Sequence, residues 1–157
     1  MTTSEFLNSF IISQAKSLQE KKAYLASVTT LTIGLEVLGG FFDKKPLKSP
    51  KQSKIRFRTA TDKLLGGKYA VINRDDYLYE MLRNQLLHSL LPGKALIMEL
   101  SDTENHLLLI NNTLLFNPQV FLTDVETAVI KLRKLINEGK AFEKRIPDNS
   151  HEICKWI

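Results

Sequence analysis

The chain has 157 residues, 43% of them hydrophobic and 25% charged, the size and make-up of one folded domain, which excludes a disordered chain and leaves no room for two full-sized domains. A net charge of +5, from 22 Lys plus Arg against 17 Asp plus Glu, permits a polyanionic partner without demanding one. The only cysteine is Cys154, so an intrachain disulfide and a cysteine-based metal site are both excluded, as suits a reducing compartment.

Apolar positions 6, 7, 10, 11, 15 and 18 carry the three-and-four spacing of an amphipathic helix over 4–18. From 21 to 42 the apolar residues occupy every face, with Thr29, Thr30, Thr32, Glu36 and three glycines among them. That pattern predicts an enclosed core helix rather than a membrane span, fraying at Gly39-Gly40. The N-terminus lacks the basic start of a secretory signal, so a cytoplasmic protein is expected.

Residues 43–53 hold two prolines, two serines and four lysines and read as an exposed, mobile connection. A short helix is expected over 54–65, closed by Gly66-Gly67. Asn73 is placed to cap a second helix, with Asp75 and Asp76 in its first turn, running from Tyr77 to Leu91 and stopping at Pro92-Gly93. The Leu- and Ile-rich runs 94–100 and 106–116 then predict an antiparallel hairpin turning through the polar cluster 101–105, with Asn111-Asn112 as a second kink. Thr123 and Glu126 have capping-box spacing, which predicts a last helix over 123–139. Apolar residues Phe142, Ile146, Ile153 and Trp156 predict that part of the tail 140–157 docks. The whole reads as a single mainly helical domain: a helical bundle at 1–92 that includes the helix from Tyr77 to Leu91, an antiparallel hairpin at 94–117, a C-terminal helix at 123–139 and the tail 140–157.

Chemistry concentrates in Arg83-Asn84-Gln85-Leu86-Leu87-His88. Asn84 and His88 lie four apart and share a helix face, while Arg83 and His88 lie about 140° apart, a gap the long arginine side chain can span. Two copies of the helix about a two-fold axis would gather two Arg and two His in one cleft. Such a cleft suits metal-free RNA cleavage: an imidazole is the side chain suited to moving protons near neutral pH, a role open to His88, Arg83 can offset charge on the phosphate oxygens, and Asn84 can orient either. The same residues would also serve a structural role, with His88 satisfying a buried carbonyl and Arg83 in a salt bridge. Lys48, Lys51, Lys54, Arg56 and Arg58 form a basic cluster that would track phosphates, or else a solvated loop and helix start. His106 and His151 have no ligand-spaced partners, and packing or surface roles are expected of them. No metal site and no cofactor motif is legible.

The segment from Leu82 to His88, with the enclosed helix and basic connection before it, resembles the HEPN superfamily, whose signature is an Arg, a polar residue often Asn, a short spacer and a His. The resemblance covers 21–91, about half the chain. It implies a HEPN-like helical bundle and a homodimer through the motif helix. It further implies a metal-independent endoribonuclease site of Arg83, Asn84 and His88, in a bacterial toxin–antitoxin or defence setting with an antitoxin or regulatory protein as partner. The predicted hairpin and final helix depart from compact members of that superfamily. The alternative is a non-catalytic dimeric module that binds protein or nucleic acid, and a small-molecule binder is the third reading.

Overall fold

Thr2 and Glu5 cap one another: the Thr2 hydroxyl accepts from the Glu5 N–H at 3.2 Å and the Glu5 carboxylate accepts from the Thr2 N–H at 2.7 Å. This satisfies orphan donors of the first turn and sets the start of helix α1, residues 3–20. The computed structural model describes residues 2–89, 95–101, 103–144 and 146. Within α1 the turn Leu7–Ile12 is widened to π geometry and buries Leu7, Ile11 and Ile12. Helix α2, Tyr24–Phe42, is long and apolar enough to cross a membrane by length and composition. It is the central helix of the bundle, with Val28, Leu31, Leu35, Leu38 and Phe41 in the core.

Helix α3 covers residues 53–65, with a second widened turn at Thr61–Leu65, and packs across α2. Gly39-Gly40 does not fray as expected. Both glycines are buried and the helix tightens into a 3₁₀ turn over Gly40–Phe42. A methyl group on Gly39 would stand 1.8 Å from the Arg56 carbonyl oxygen, so only hydrogen lets the two backbones meet. Gly39→Ala is therefore expected to lower the unfolding free energy by about 3 kcal/mol, the overpacking penalty outweighing the ~1 kcal/mol propensity gain of alanine. A urea titration of the variant checks this, and an unchanged midpoint would mean that the helices can part at no cost.

The connection after α2 is held rather than loose. Arg56 is 4% exposed and its guanidinium donates to Asp43 Oδ2 at 2.8 Å, to the Pro46 carbonyl at 2.9 Å and to the Leu47 carbonyl. From the other side Lys144 Nζ donates to the carbonyls of Asp43 and Lys45. The lysines made this segment read as free, whereas two buried cations fix its backbone.

Gly66 and Gly67 take φ 65 and 49, the turn expected of them. A short helix that the sequence reading lacked, α4 (Gly67–Ile72), follows. Asn73 is buried at its end, and its side chain accepts from the Tyr79 N–H at 3.1 Å and donates to Thr61 Oγ1 at 3.2 Å. It thus serves the motif helix from six residues upstream rather than as the residue that opens it. That helix, α5, is described over residues 77–89: after a helical start at Tyr77 and Leu78, a third widened turn, Tyr79–Gln85, runs into regular α-helix at Leu86–Ser89. The expected stop at 92–93 lies outside the described residues.

The expected hairpin is corrected. Strands β1 (Leu96–Met98), β2 (Leu108–Ile110) and β3 (Thr113–Phe116) form a sheet in the order β1-β3-β2. β1 pairs with β3 in parallel, and the antiparallel hairpin joins β2 to β3 with Ile110 opposite Thr113. The turn is Asn111-Asn112, at φ 48 and 60, a two-residue loop whose left-handed residues match strand twist. The 101–105 cluster lies in the crossover between β1 and β2.

The last helix, α6, spans Pro118–Asn137, five residues longer at its start than expected. Asn117 is its cap, accepting from the Gln119 and Val120 N–H groups at 2.9 and 3.1 Å, with Pro118 in the first turn. Thr123 lies inside the helix and bonds back to the Gln119 carbonyl. Gly139 ends the element at φ 70. Beyond it Ala141 is buried and the Phe142 N–H donates to the Phe41 carbonyl at 2.7 Å, so the start of the tail does dock. Residues 147–157, with Ile153 and Trp156, lie outside the described residues.

Candidate functional site

The motif helix leaves α4 and Asn73 and lies against α2, so its polar residues meet Glu36 of the core helix. Arg83 Nε donates to Glu36 Oε1 at 2.8 Å, in a pair whose side chains are 28% and 15% exposed. The bond to Glu36 raises the arginine's pKa above its usual value, so its charge is permanent. The pair engages Nε alone; the guanidinium fork has further donors.

Asn84 Nδ2 donates to Glu80 Oε2 at 2.6 Å, one turn back. That bond, then the bond and charge of Lys54, hold the Glu80 carboxyl below its usual range against a smaller opposing effect of burial. Asn84 is thus committed to Glu80 rather than to His88. His88 is exposed, on the regular turn that follows. The 140° expected between Arg83 and His88 assumed a regular α-helix, and the widened turn Tyr79–Gln85 replaces it up to the residue before Leu86. Tyr79 is buried beneath, edge-on to Phe57 with ring centroids 5.6 Å apart. Its hydroxyl pKa is raised, first by burial.

The five basic residues of the cluster divide. Arg56 is buried and held by Asp43 and loop carbonyls. Arg58 meets Asp76 at 2.6 Å, and Lys54 meets both Asp76 at 3.5 Å and Glu80 at 3.3 Å. Lys48 and Lys51 are exposed on the connection. Three of the five are thus neutralised by Asp43, Asp76 and Glu80, which the charge count along the chain did not reveal.

A second polar constellation was not anticipated. The Asn117 backbone N–H donates to His106 Nδ1 at 2.8 Å. An amide nitrogen can only donate, so Nδ1 carries the lone pair and Nε2 carries the proton. His106 Nε2 therefore donates to Tyr69 Oη at 2.8 Å, and the Tyr69 hydroxyl donates to Asp124 Oδ2 at 2.7 Å. Burial, with a smaller push from Lys68, lowers the His106 pKa to about 4. Burial raises Asp124 against the opposing bond from Tyr69, and raises Tyr69 well above its usual value, helped by Asp124. The three groups border a pocket of about 310 Å³ beside Gly66-Gly67. Both histidine nitrogens are engaged, so this is a tie between α4, the turn before β2 and α6; the packing role expected of His106 is what the bonds describe. Sequence offered no signal for it, since Tyr69 is 37 residues from His106 and 55 from Asp124.

Among the described residues no group of three His, Cys, Asp or Glu side chains is placed to hold a metal ion. Compared with family models, curated proteins and solved structures, the chain finds no match in any of the three.

Proposed function

We propose that the chain is a HEPN-like protein that works as a homodimer and cleaves RNA without a metal at a groove built from two motif helices. The observation that carries this reading is that His88 stands exposed on the helix whose Arg83 is anchored by Glu36 through one edge of its guanidinium. The anchor fixes the arginine while terminal donors stay available to a phosphate. One His88 would take the proton of the ribose 2′-hydroxyl as that oxygen attacks phosphorus. The His88 of the second protomer would give a proton to the departing 5′-oxygen, leaving a 2′,3′-cyclic phosphate and a 5′-hydroxyl. Arg83 offsets the charge on the non-bridging oxygens. A bacterial cytoplasmic toxin–antitoxin or defence role, with a protein regulator, belongs to the same proposal.

In EDTA, purified protein is expected to cut single-stranded RNA, and His88→Ala to slow cleavage by about 10²- to 10⁴-fold. Because the ring is exposed, the variant should unfold at the wild-type denaturant concentration. Undiminished cleavage by the folded variant removes His88 from the mechanism. The hydrogen bond between Asn84 and Glu80 and the pairing of Lys54 and Arg58 with acids favour a second reading, a non-catalytic dimeric interaction module. Salt-sensitive RNA binding with no cleavage by the wild type is the result that selects it.

A further inference from the structure

We propose that the hollow between the 43–48 loop and Phe142 binds a small amphipathic anion, an alkyl or aryl carboxylate with its apolar part inside and its head among the lysines. The hollow measures about 620 Å³, within the range that takes up a small organic ligand. Its walls are Phe6, Pro46, Leu47, Phe142 and Ile146, and Phe142 is 42% exposed, a large apolar ring that faces open space. Around these walls stand Lys44, Lys45 and Lys48, with Glu143 the one acid among the described lining residues. The Lys44 ammonium lies 5.9 Å from the centre of the Phe142 ring, so positive charge sits directly at the edge of the apolar surface.

Two features separate this hollow from an ordinary lysine-rich loop. The first is that the loop is braced from beneath: Arg56 holds Asp43 and the carbonyls of Pro46 and Leu47, and Lys144, its side chain 8% exposed, holds those of Asp43 and Lys45. These buried cations answer the loop's own acceptors and leave Lys44 and Lys48 exposed. A wall fixed in advance loses little freedom when a ligand enters. The second is the chemistry of the lining, which among the described residues has no side-chain hydroxyl or amide. Such a surface is less suited to reading a base or a sugar than to a hydrocarbon carrying one negative group. The concave form favours a single free molecule over a lipid surface. The inference stands apart from the motif helix and does not depend on its chemistry.

The test is calorimetric titration of the full-length protein with decanoate below its micelle concentration. Saturable one-to-one binding is expected, at least tenfold tighter than that of decanol, which has the same chain without the charge. The exposed double variant Lys44→Glu with Lys48→Glu should bind decanoate at least tenfold more weakly while unfolding like the wild type, and Phe142→Ser should lose a similar factor. Equal binding of decanol, undiminished binding by the lysine variant, or capture only by anionic phosphatidylglycerol vesicles each overturns the proposal.

Discussion

Replacing Arg56 by methionine should lower the unfolding free energy by about 3 kcal/mol, the low end of the range for breaking a buried ion pair, because Arg56 is buried while Asp43 keeps 30% of its side chain exposed. For a chain of this length that is a fall in melting temperature of roughly 10 °C. The side chain would still fill its space, but Asp43 would lose its main partner and the carbonyls of Pro46 and Leu47 would lose their donor. Burial pushes the Asp43 carboxyl up, yet the Arg56 bond, the Lys45 N–H and the charges of Arg56 and Lys144 outweigh it and hold the pKa below normal. That contribution is present above the unfolded-state value and is lost as pH falls through the lower folded one. Arg56→Lys should recover only part of the loss, because an ammonium cannot match a planar fork that serves a carboxylate and two carbonyls together. Thermal melts of both variants decide the matter. Wild-type stability in Arg56→Met would mean that the loop holds itself.

Stability should also fall as pH drops from about 6.5 to about 4, and His106 is the reason. In the unfolded chain its imidazole takes a proton near 6.5, while in the fold burial delays this until about 4. Over that interval the unfolded state binds the additional proton, so acid favours unfolding; above 6.5 the group contributes no pH dependence. At about 1.4 kcal/mol per pH unit the full effect is about 3 kcal/mol. Asp124 works in the opposite sense, because its raised pKa means that the folded state takes up a proton more readily at the acid end, which trims the loss there. His106→Gln removes the titrating group, so its stability should be nearly flat between pH 6.5 and 4.5 where the wild type slopes. Parallel slopes in urea titrations across that range would show that His106 is not the group responsible.

Apolar periodicity located α1, the enclosed α2, the 54–65 helix with its glycine turn and the approach to the motif, since each is a local pattern with a local punctuation mark. Strand pairing was misread for a definite reason. The polar residues 101–105 are good loop formers, but polarity cannot distinguish a crossover from a hairpin turn, whereas two adjacent asparagines that both accept positive φ can. At α6 the pair Thr123 and Glu126 has capping spacing, and so it hid the stronger signal of Asn117 followed by Pro118. What no local pattern carries is which charges meet. Glu36 lies 47 residues from Arg83, and Asp43 lies 13 from Arg56. A count of lysines and arginines therefore overstated how much positive charge the surface offers to phosphate.

The widened turns at Leu7–Ile12, Thr61–Leu65 and Tyr79–Gln85 each accommodate one residue more than a regular turn would. In the motif helix that surplus residue works as a phase adjuster. Winding the same residues as regular α-helix would swing everything downstream, His88 included, by about 100° relative to Glu80 and its neighbours, whereas losing the surplus residue together with the widened turn would leave that facing nearly as it is. Whichever way the imidazole faces is consequently set by the winding of a single turn, and tightening that turn alone would re-aim it without altering any side chain.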